Sequence, residues 1–85
     1  MPTEQRKIEL AEMANVMRTG DGRRVIARML KTFGVQSSTF NADPHLHSYQ
    51  AGRRDAGLHI EAEAREADLP LYLKLITEMN DNGRT

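Results

Sequence analysis

The sequence predicts an all-α fold: a single small four-helix domain over residues 1–85, with a long third helix and a short fourth helix. Three observations support this class. Apolar residues recur at helical spacing in four segments. β-branched residues are sparse, and no stretch alternates apolar and polar residues for long. Thr3, Asp43-Pro44 and Asp68 stand where helices should begin. We expect the core to occupy about residues 8–79 and residues 80–85 to form a polar, frayed tail.

The first two helices are predicted from their apolar stripes. The first should begin after Thr3, a good N-cap residue, and end at the Thr19-Gly20 pair. The second should run from about Gly20 to Phe33, with Gly34 as the C′ residue because glycine adopts the left-handed conformation readily. The predicted inner faces are Leu10, Met13, Ala14 and Met17 in the first helix, and Val25, Ile26, Met29, Leu30 and Phe33 in the second.

Residues 35–42 read as a loop of small polar residues, in which Phe40 is expected to fold back over the core. Asp43 is a preferred N-cap, and Pro44 suits the first helical position because its missing N–H has no partner there. The third helix should therefore run from Pro44 to about Ala67, roughly 36 Å at 1.5 Å per residue. Its predicted buried stripe is Leu46, Tyr49, Arg53, Ala56, Ile60, Ala64 and Ala67.

The fourth helix is predicted to follow at once, with Asp68 as its N-cap and Pro70 in its first turn. Its inner face is expected to be Leu69, Tyr72, Leu73 and Ile76, with Met79 near the edge. The sequence shows no internal repeat and no low-complexity linker, so no domain boundary is predicted.

Composition limits the classes of function. The chain has no cysteine, which excludes disulfides, thiolate metal sites and a cysteine nucleophile. No apolar run approaches the roughly 18 residues of a membrane span, and the polar N-terminus lacks the features of a signal peptide. Twelve basic and 12 acidic residues give a net charge of zero, whereas nucleic-acid binders are usually basic.

Charge is unevenly distributed along the chain. Residues 1–31 carry seven basic side chains against four acidic ones, and residues 55–85 carry three against seven. This asymmetry favours contacts between the N-terminal half of one copy and the C-terminal half of another. The alternative is that the surfaces of the helices simply differ in charge.

The three histidines, with Asp43 and Glu63, are the candidate metal ligands. His59 and Glu63 lie one helical turn apart and could share a cation. His45 and His47, however, point about 200° apart on a helix, whereas zinc sites need three or four convergent ligands. We therefore predict no metal site and no cofactor.

No catalytic group is predicted either. Ser37, Ser38 and Thr39 lie in a loop with no base at a recognisable spacing. Gly20-Asp21-Gly22 lacks the flanking strand and the lysine of a phosphate-binding loop. The carboxylates of the third helix, Glu61, Glu63 and Glu66, are expected on a solvated face. The protein is therefore predicted not to be an enzyme.

The third helix contains an unusual Gly-Arg-Arg triplet. Gly52 and Gly57 each cost a helix about 1 kcal/mol relative to alanine, so we expect a neighbouring helix to approach closely, above all along Gly52 and Ala56. Arg53 falls in the apolar stripe, so either its aliphatic stem lies along the core or its guanidinium pairs with a buried acceptor. We predict a structural role for Arg53 and leave a partner or nucleic-acid role open for Arg54.

An ordered series of segments includes this triplet: residues 22–30, Phe33-Gly34-Val35, Ser38-Thr39-Phe40, residues 49–54, Gly57-Leu58 and residues 68–72. The series covers about residues 10–79 and resembles a family of small helical proteins encoded beside the head and portal genes of short-tailed phages, including the Bordetella podovirus type. The resemblance implies a virion-associated protein near the portal or in the internal core, and it implies no catalytic residue. By the same resemblance, the residues that define the module are Gly22, Arg23, Phe40, Gly52, Arg53, Arg54 and Gly57.

The function expected from this resemblance is that of a multi-copy interaction protein of the phage particle. Its expected partners are phage structural proteins (portal, internal core or tail adaptor), with self-association in a ring as a further expectation. It would be made in the host cytoplasm and carried into the virion. Exposed arginines are frequent anchors of interfaces, so the predicted partner-binding residues are Arg23, Arg24 and Arg54.

The alternative function is a small DNA-binding regulator of the helix-turn-helix type, in which Arg53 and Arg54 contact phosphate. A loop of about nine residues before the third helix is longer than the usual three or four, and that helix carries several carboxylates. We therefore expect at most weak, salt-sensitive association with nucleic acid.

Overall fold

Four α-helices account for most of residues 2–35 and 44–82, the parts of the chain that the computed structural model describes. In chain order they are α1 (Glu4–Met17), α2 (Gly20–Thr32), α3 (Pro44–Ala67) and α4 (Leu69–Asn82). The all-α class is confirmed, since these two ranges contain no strand. The predicted bounds of the third helix are confirmed as well. α4 continues through residues 80–82, which the sequence assigned to a polar tail.

Short polar side chains start three of the helices. Thr3, Thr19 and Asp68 each accept a hydrogen bond from the backbone N–H three residues later, at 3.1, 2.9 and 3.0 Å. Such a bond satisfies one of the donors left unpaired at a helix N-terminus. Thr19 was expected only to end the first helix, and it also begins α2. Gly34 follows α2 with a φ of 70°, the left-handed conformation expected of a C′ glycine.

Every helix contributes at least one side chain to a thin core. Met17, Leu30, Ala64 and Leu75 are each no more than 2% exposed, and each comes from a different helix. The Cα atoms extend over 42 × 37 × 16 Å, and the shortest dimension corresponds to two layers of helices packed about 10 Å apart. No helix within the two described ranges is both long enough and apolar enough to cross a membrane.

The predicted inner face of α3 is wrong over its N-terminal half. Leu46 and Tyr49 are 43% and 62% exposed, and Arg53 and Ala56 are exposed as well. The C-terminal part of the stripe is correct, since Ala64 is fully buried. The physical reason lies at residue 57, where the turn after α2 contacts α3 and so directs a different side of the helix inward.

The inner faces of α2 and α4 are also rotated from the predicted ones. Arg23 lies inside beside Ile26, and Leu75 rather than Leu73 lies inside on α4. Both helices carry apolar residues on more than one side, so periodicity alone leaves the inward side undetermined. The members of the predicted stripes that the structure leaves exposed are Val25, Met29, Leu69 and Leu73.

Close approach to α3 occurs at Gly57 and not at Gly52. A Cβ atom at Gly57 would lie 2.5 Å from Cγ2 of Val35 and 2.7 Å from Cβ of Phe33. Among the described residues, nothing lies within 4 Å of a Cβ atom built at Gly52. The expectation that a neighbouring helix packs against Gly52 is therefore wrong for this part of the chain. The approaching group is the turn after α2, whose side chains need the space that Gly57 leaves.

Gly22 is required where α1 turns into α2. A Cβ atom there would lie 1.8 Å from the main-chain oxygen of Val16. Because that oxygen belongs to the backbone of α1, the clash could be relieved only by moving one helix relative to the other. Gly22 also donates its N–H to the Thr19 hydroxyl. Because Gly22 has no side chain, α1 and α2 can form a tight corner next to the Thr19 N-cap.

Candidate functional site

Arg23, predicted to be an exposed partner-binding residue, is buried and holds three helices together. It is 8% exposed. Its Nε donates to Oε1 of Glu78 at 2.6 Å, and its Nη1 donates to the main-chain oxygen of Met17 at 2.9 Å. The expectation that Arg23 is exposed is therefore wrong, because its guanidinium links the end of α1 to α4.

The same ion pair changes the acidity of its carboxylate. The hydrogen bond from Arg23 lowers the pKa of Glu78 from its usual value, although burial acts in the opposite direction. The carboxylate is therefore held in its charged form, which is the form that the buried guanidinium needs.

The other two predicted partner-binding arginines are closer to solvent. Arg24 is exposed and pairs with Asp21 one turn earlier in α2. Arg54 is partly buried, and its Nε is enclosed without a hydrogen-bond partner among the described residues. Arg24 thus remains available at the surface, whereas much of the Arg54 side chain is withdrawn from it.

Arg53 lies at the surface and not along the core, where the sequence placed it, and its contacts there are with a main-chain oxygen and an aromatic ring. Its Nη2 donates to the main-chain oxygen of Thr32, the last residue of α2. A guanidinium there satisfies a carbonyl that the helix leaves unpaired and lies at the negative end of the helix dipole. The guanidinium also lies over the Tyr49 ring, 5.6 Å from its centroid.

Two further predicted residues, Phe40 and Asp43, lie outside the described residues. Pro44 is the first residue of α3.

The described ranges contain no group of three or more His, Asp or Glu side chains that could hold a metal ion. From the sequence, Glu63 and His59 could share a cation. In the structure, the carboxylate of Glu63 forms an ion pair with a guanidinium.

That guanidinium belongs to Arg6, and sequence reasoning missed its role. Its Nη1 lies 2.8 Å from Oε1 of Glu63 and 3.4 Å from Oε1 of Glu9, and its Nη2 lies 3.5 Å from Oε2 of Glu66. Burial lowers the pKa of Arg6, but the hydrogen bonds to these carboxylates raise that pKa on balance. The network joins the first turn of α1 to the last two turns of α3.

A groove lies beside this network, and we name it the acidic groove. Its volume is about 440 Å³. Apolar side chains and three carboxylates line it: Met13, Val16, Ile26, Glu9, Glu12 and Glu63. Glu12 is exposed and has no ion pair among the described residues. The groove therefore combines an apolar wall, including the 43% exposed Val16, with three carboxylates, of which Glu9 and Glu63 already pair with Arg6.

Tyr72, a core residue of α4, contacts a carboxylate through its hydroxyl. Its Oη donates to Oε2 of Glu61 at 2.8 Å, and Arg65 lies over its ring. Burial, followed by the hydrogen bond to Glu61, raises the pKa of Tyr72 to about 12. The hydroxyl thus stays protonated and links α4 to α3.

Large apolar side chains stand exposed on all four helices. Tyr49 is 62% exposed, and Ile8 and Leu73 are each 53% exposed. Isolated exposed apolar residues are ordinary on a folded protein, but one or more on each of the four helices also provide area for protein contacts. The remaining members are Val16, Val25, Met29, Leu46 and Leu69.

Comparison with known protein families gives a match. A family model described as "Bbp19-like phage protein" matches residues 13–77, from the last turns of α1 into α4. No curated protein and no solved structure matches the chain.

Proposed function

Because the chain belongs to the Bbp19-like phage protein family, we propose that it is a non-enzymatic structural component of the phage particle. The resemblance to a phage family is confirmed by the match, and the position of the gene beside head and portal genes stays a prediction. In this proposal the protein is made in the host cytoplasm, binds a structural protein of the virion and stays in the particle. The proposed partner is the portal, an internal core protein or a tail adaptor.

The family match over most of the chain is the observation that carries the proposal. The surface supports an interaction role, because each helix presents at least one large apolar side chain to solvent. The acidic groove is open, and its charged lining residues in the described part of the chain are carboxylates. Such a surface is suited to contacts with other proteins and not to enclosing a small substrate.

The proposed anchors differ from those expected from the sequence. Arg23 is occupied inside the fold, so Arg24 is the arginine of the predicted set that we retain as a partner contact. To it we add Tyr49, which is mostly exposed and held in place by Arg53. Tyrosine and arginine are enriched among the residues that dominate binding energy.

Mass spectrometry of gradient-purified particles tests the proposal. We expect the protein in intact virions, and we expect it to remain with portal-containing assemblies after mild dissociation. A phage replication protein of similar abundance in the lysate is the control for trapped contaminants. Abundance in infected cells together with absence from particles would refute the virion assignment.

A substitution series connects this result to the surface. Tyr49→Ser should reduce incorporation into particles while leaving the helical content unchanged, because the side chain is mostly outside the core. Ser48→Ala, at the neighbouring exposed position, is the matched control. Equal incorporation of the two variants would remove Tyr49 from the proposed contact.

The helix-turn-helix alternative is tested by retention on DNA. Residues 33–43 separate α2 from α3, and the Arg53 guanidinium is already engaged with Thr32 and Tyr49. We therefore expect weak retention that falls as salt rises. Tight, sequence-dependent binding at about 150 mM salt would instead support a regulator.

A further inference from the structure

The outer side of α2 forms a basic surface that the fold does not use. Arg24, Arg28 and Lys31 are all exposed, and their spacing of four and three residues places them on one face. We name these three residues the basic ridge. Arg28 and Lys31 have no ion pair among the described residues, whereas Arg24 pairs with Asp21 of its own helix.

The basic ridge and the acidic groove point in different directions. Ile26, which lines the groove, and Arg28 are two residues apart in a helix and therefore lie about 200° apart around its axis. The ridge of one copy thus cannot enter its own groove. Two complementary surfaces on opposite sides of one chain are suited to contact between successive copies.

We propose that the basic ridge of one copy docks in the acidic groove of a second copy. The contact is head-to-tail, because each copy uses a different surface toward each of its two neighbours. Repetition of such a contact gives a closed ring or an open filament, depending on the rotation between copies. This inference deepens the proposed function and rests on it for its place in the particle.

The two surfaces match in length as well as in charge. The ridge covers eight residues from Arg24 to Lys31, and the α1 wall of the groove covers eight residues from Glu9 to Val16, which is seven residue-to-residue steps in each case. Both are therefore about 10 Å long at 1.5 Å per residue. Val25, 41% exposed beside the ridge, would bring apolar area to the groove.

Charge reversal at one position on each surface tests the contact in the purified protein. Glu12→Lys and Arg28→Glu change exposed residues that have no ion pair in the described structure, so both variants should keep their helical circular dichroism. Each single variant should weaken self-association at least about tenfold, because like charges then meet. Sedimentation velocity over a range of concentrations at low salt measures this association, since added salt screens exposed charges.

Mixing the two variants gives the decisive result. The unchanged ridge of Glu12→Lys meets the unchanged groove of Arg28→Glu, and the two reversed surfaces also complement each other. The equimolar mixture should therefore associate more strongly than either variant alone. Asp55→Lys and Lys74→Glu, which reverse exposed charges outside both surfaces, are the matched controls and should associate like the wild type.

Several outcomes would overturn the inference: a wild-type protein that stays monomeric at millimolar concentration, single variants that associate normally, or a mixture that does not associate. Loss of DNA retention by Arg28→Glu with unchanged self-association would assign the ridge to nucleic acid instead. A monomeric protein that is nevertheless present in virions would refute this contact alone. An associating protein that is absent from virions would refute the proposed function alone.

Discussion

Replacing Gly57 with alanine should have two opposing effects on stability: a higher helix propensity of α3 and a steric clash with the turn after α2. The added Cβ would lie 2.5 Å from Cγ2 of Val35 and 2.7 Å from Cβ of Phe33. Both atoms are attached close to the backbone, so the clash is relieved only if the turn after α2 moves. Overpacking of this kind costs about 1–3 kcal/mol, whereas removing a glycine from a helix interior gains about 1 kcal/mol. Gly57→Ala should therefore be neutral or destabilising, by up to about 2 kcal/mol.

Gly52→Ala is the matched control, because it is the same change in the same helix without the clash. With nothing described within 4 Å of the new Cβ, it should gain the full propensity term of about 1 kcal/mol. For a domain of this size that gain corresponds to a rise in Tm of roughly 4–8 °C. Thermal unfolding followed by far-UV circular dichroism measures both variants. Equal rises in Tm for the two would refute the close approach at Gly57.

Polar contacts of the core give three more predictions. Arg23→Ala should lower the free energy of unfolding by about 2–4 kcal/mol, because it removes charge-assisted hydrogen bonds; urea denaturation checks this, with Arg24→Ala as the exposed control. The pKa of Glu78 lies below its usual 4.5, so the stability that this carboxylate contributes is complete above that pH and is lost as the pH falls through the lowered pKa. The difference in Tm between wild type and Glu78→Gln should accordingly close in acid. The pKa of Tyr72, raised to about 12 from 10.0, predicts that one of the two tyrosines ionises only near that pH in a near-UV titration. Tyr72→Phe should abolish this late ionisation. It should also abolish the part of the stability that the wild type loses as the pH rises above 10.0, because the neutral Tyr72 hydroxyl no longer contributes.

The ends of the helices could be predicted from the sequence because their signals are local. Thr3 and Asp68 cap helices through a backbone N–H only three residues away. Gly34 ends α2 through its own φ angle. None of these interactions requires knowledge of another helix, which is why the four segments and the bounds of α3 agree with expectation.

The inward faces could not be predicted because they depend on neighbours. α4 has leucine at every second position from Leu69 to Leu75, so its apolar residues surround much of the helix. Leu75 is 1% exposed and Leu73 is 53% exposed, a difference that only the placement of α2 and α3 decides. The side of α3 around Gly57 is likewise set by the turn after α2, which is more than 20 residues away in sequence.

Sequence reasoning missed the burial of Arg23, although the spacing of residues in α2 carried a signal for it. Arg23 precedes Ile26 by three residues and Leu30 by seven, the spacing of a single helix face. Since both apolar residues are buried, that spacing indicated an inward guanidinium. Its acceptor, Glu78, comes 55 residues later, and nothing local identifies it.

The charge asymmetry of the chain is largely neutralised inside one molecule. Arg6 in the basic first third binds Glu63 in the acidic last third, and Arg23 binds Glu78 in the same way. The uneven distribution of charge along the sequence therefore reflects contacts of α1 with α3 and of α2 with α4. It does not by itself require a second copy.

Self-association should depend on the charged side chains that take part in none of these ion pairs. Glu12 on the groove and Arg28 and Lys31 on the ridge have no ion pair in the described part of the chain. Because the groove and the ridge lie on opposite sides of α2, these charges cannot neutralise each other within one copy. Among the described residues, no side chain of the same copy pairs with Glu12, Arg28 or Lys31, and a second molecule would supply the opposite charge. The strength of self-association should thus follow these few side chains and the salt concentration, although the net charge of the protein is zero.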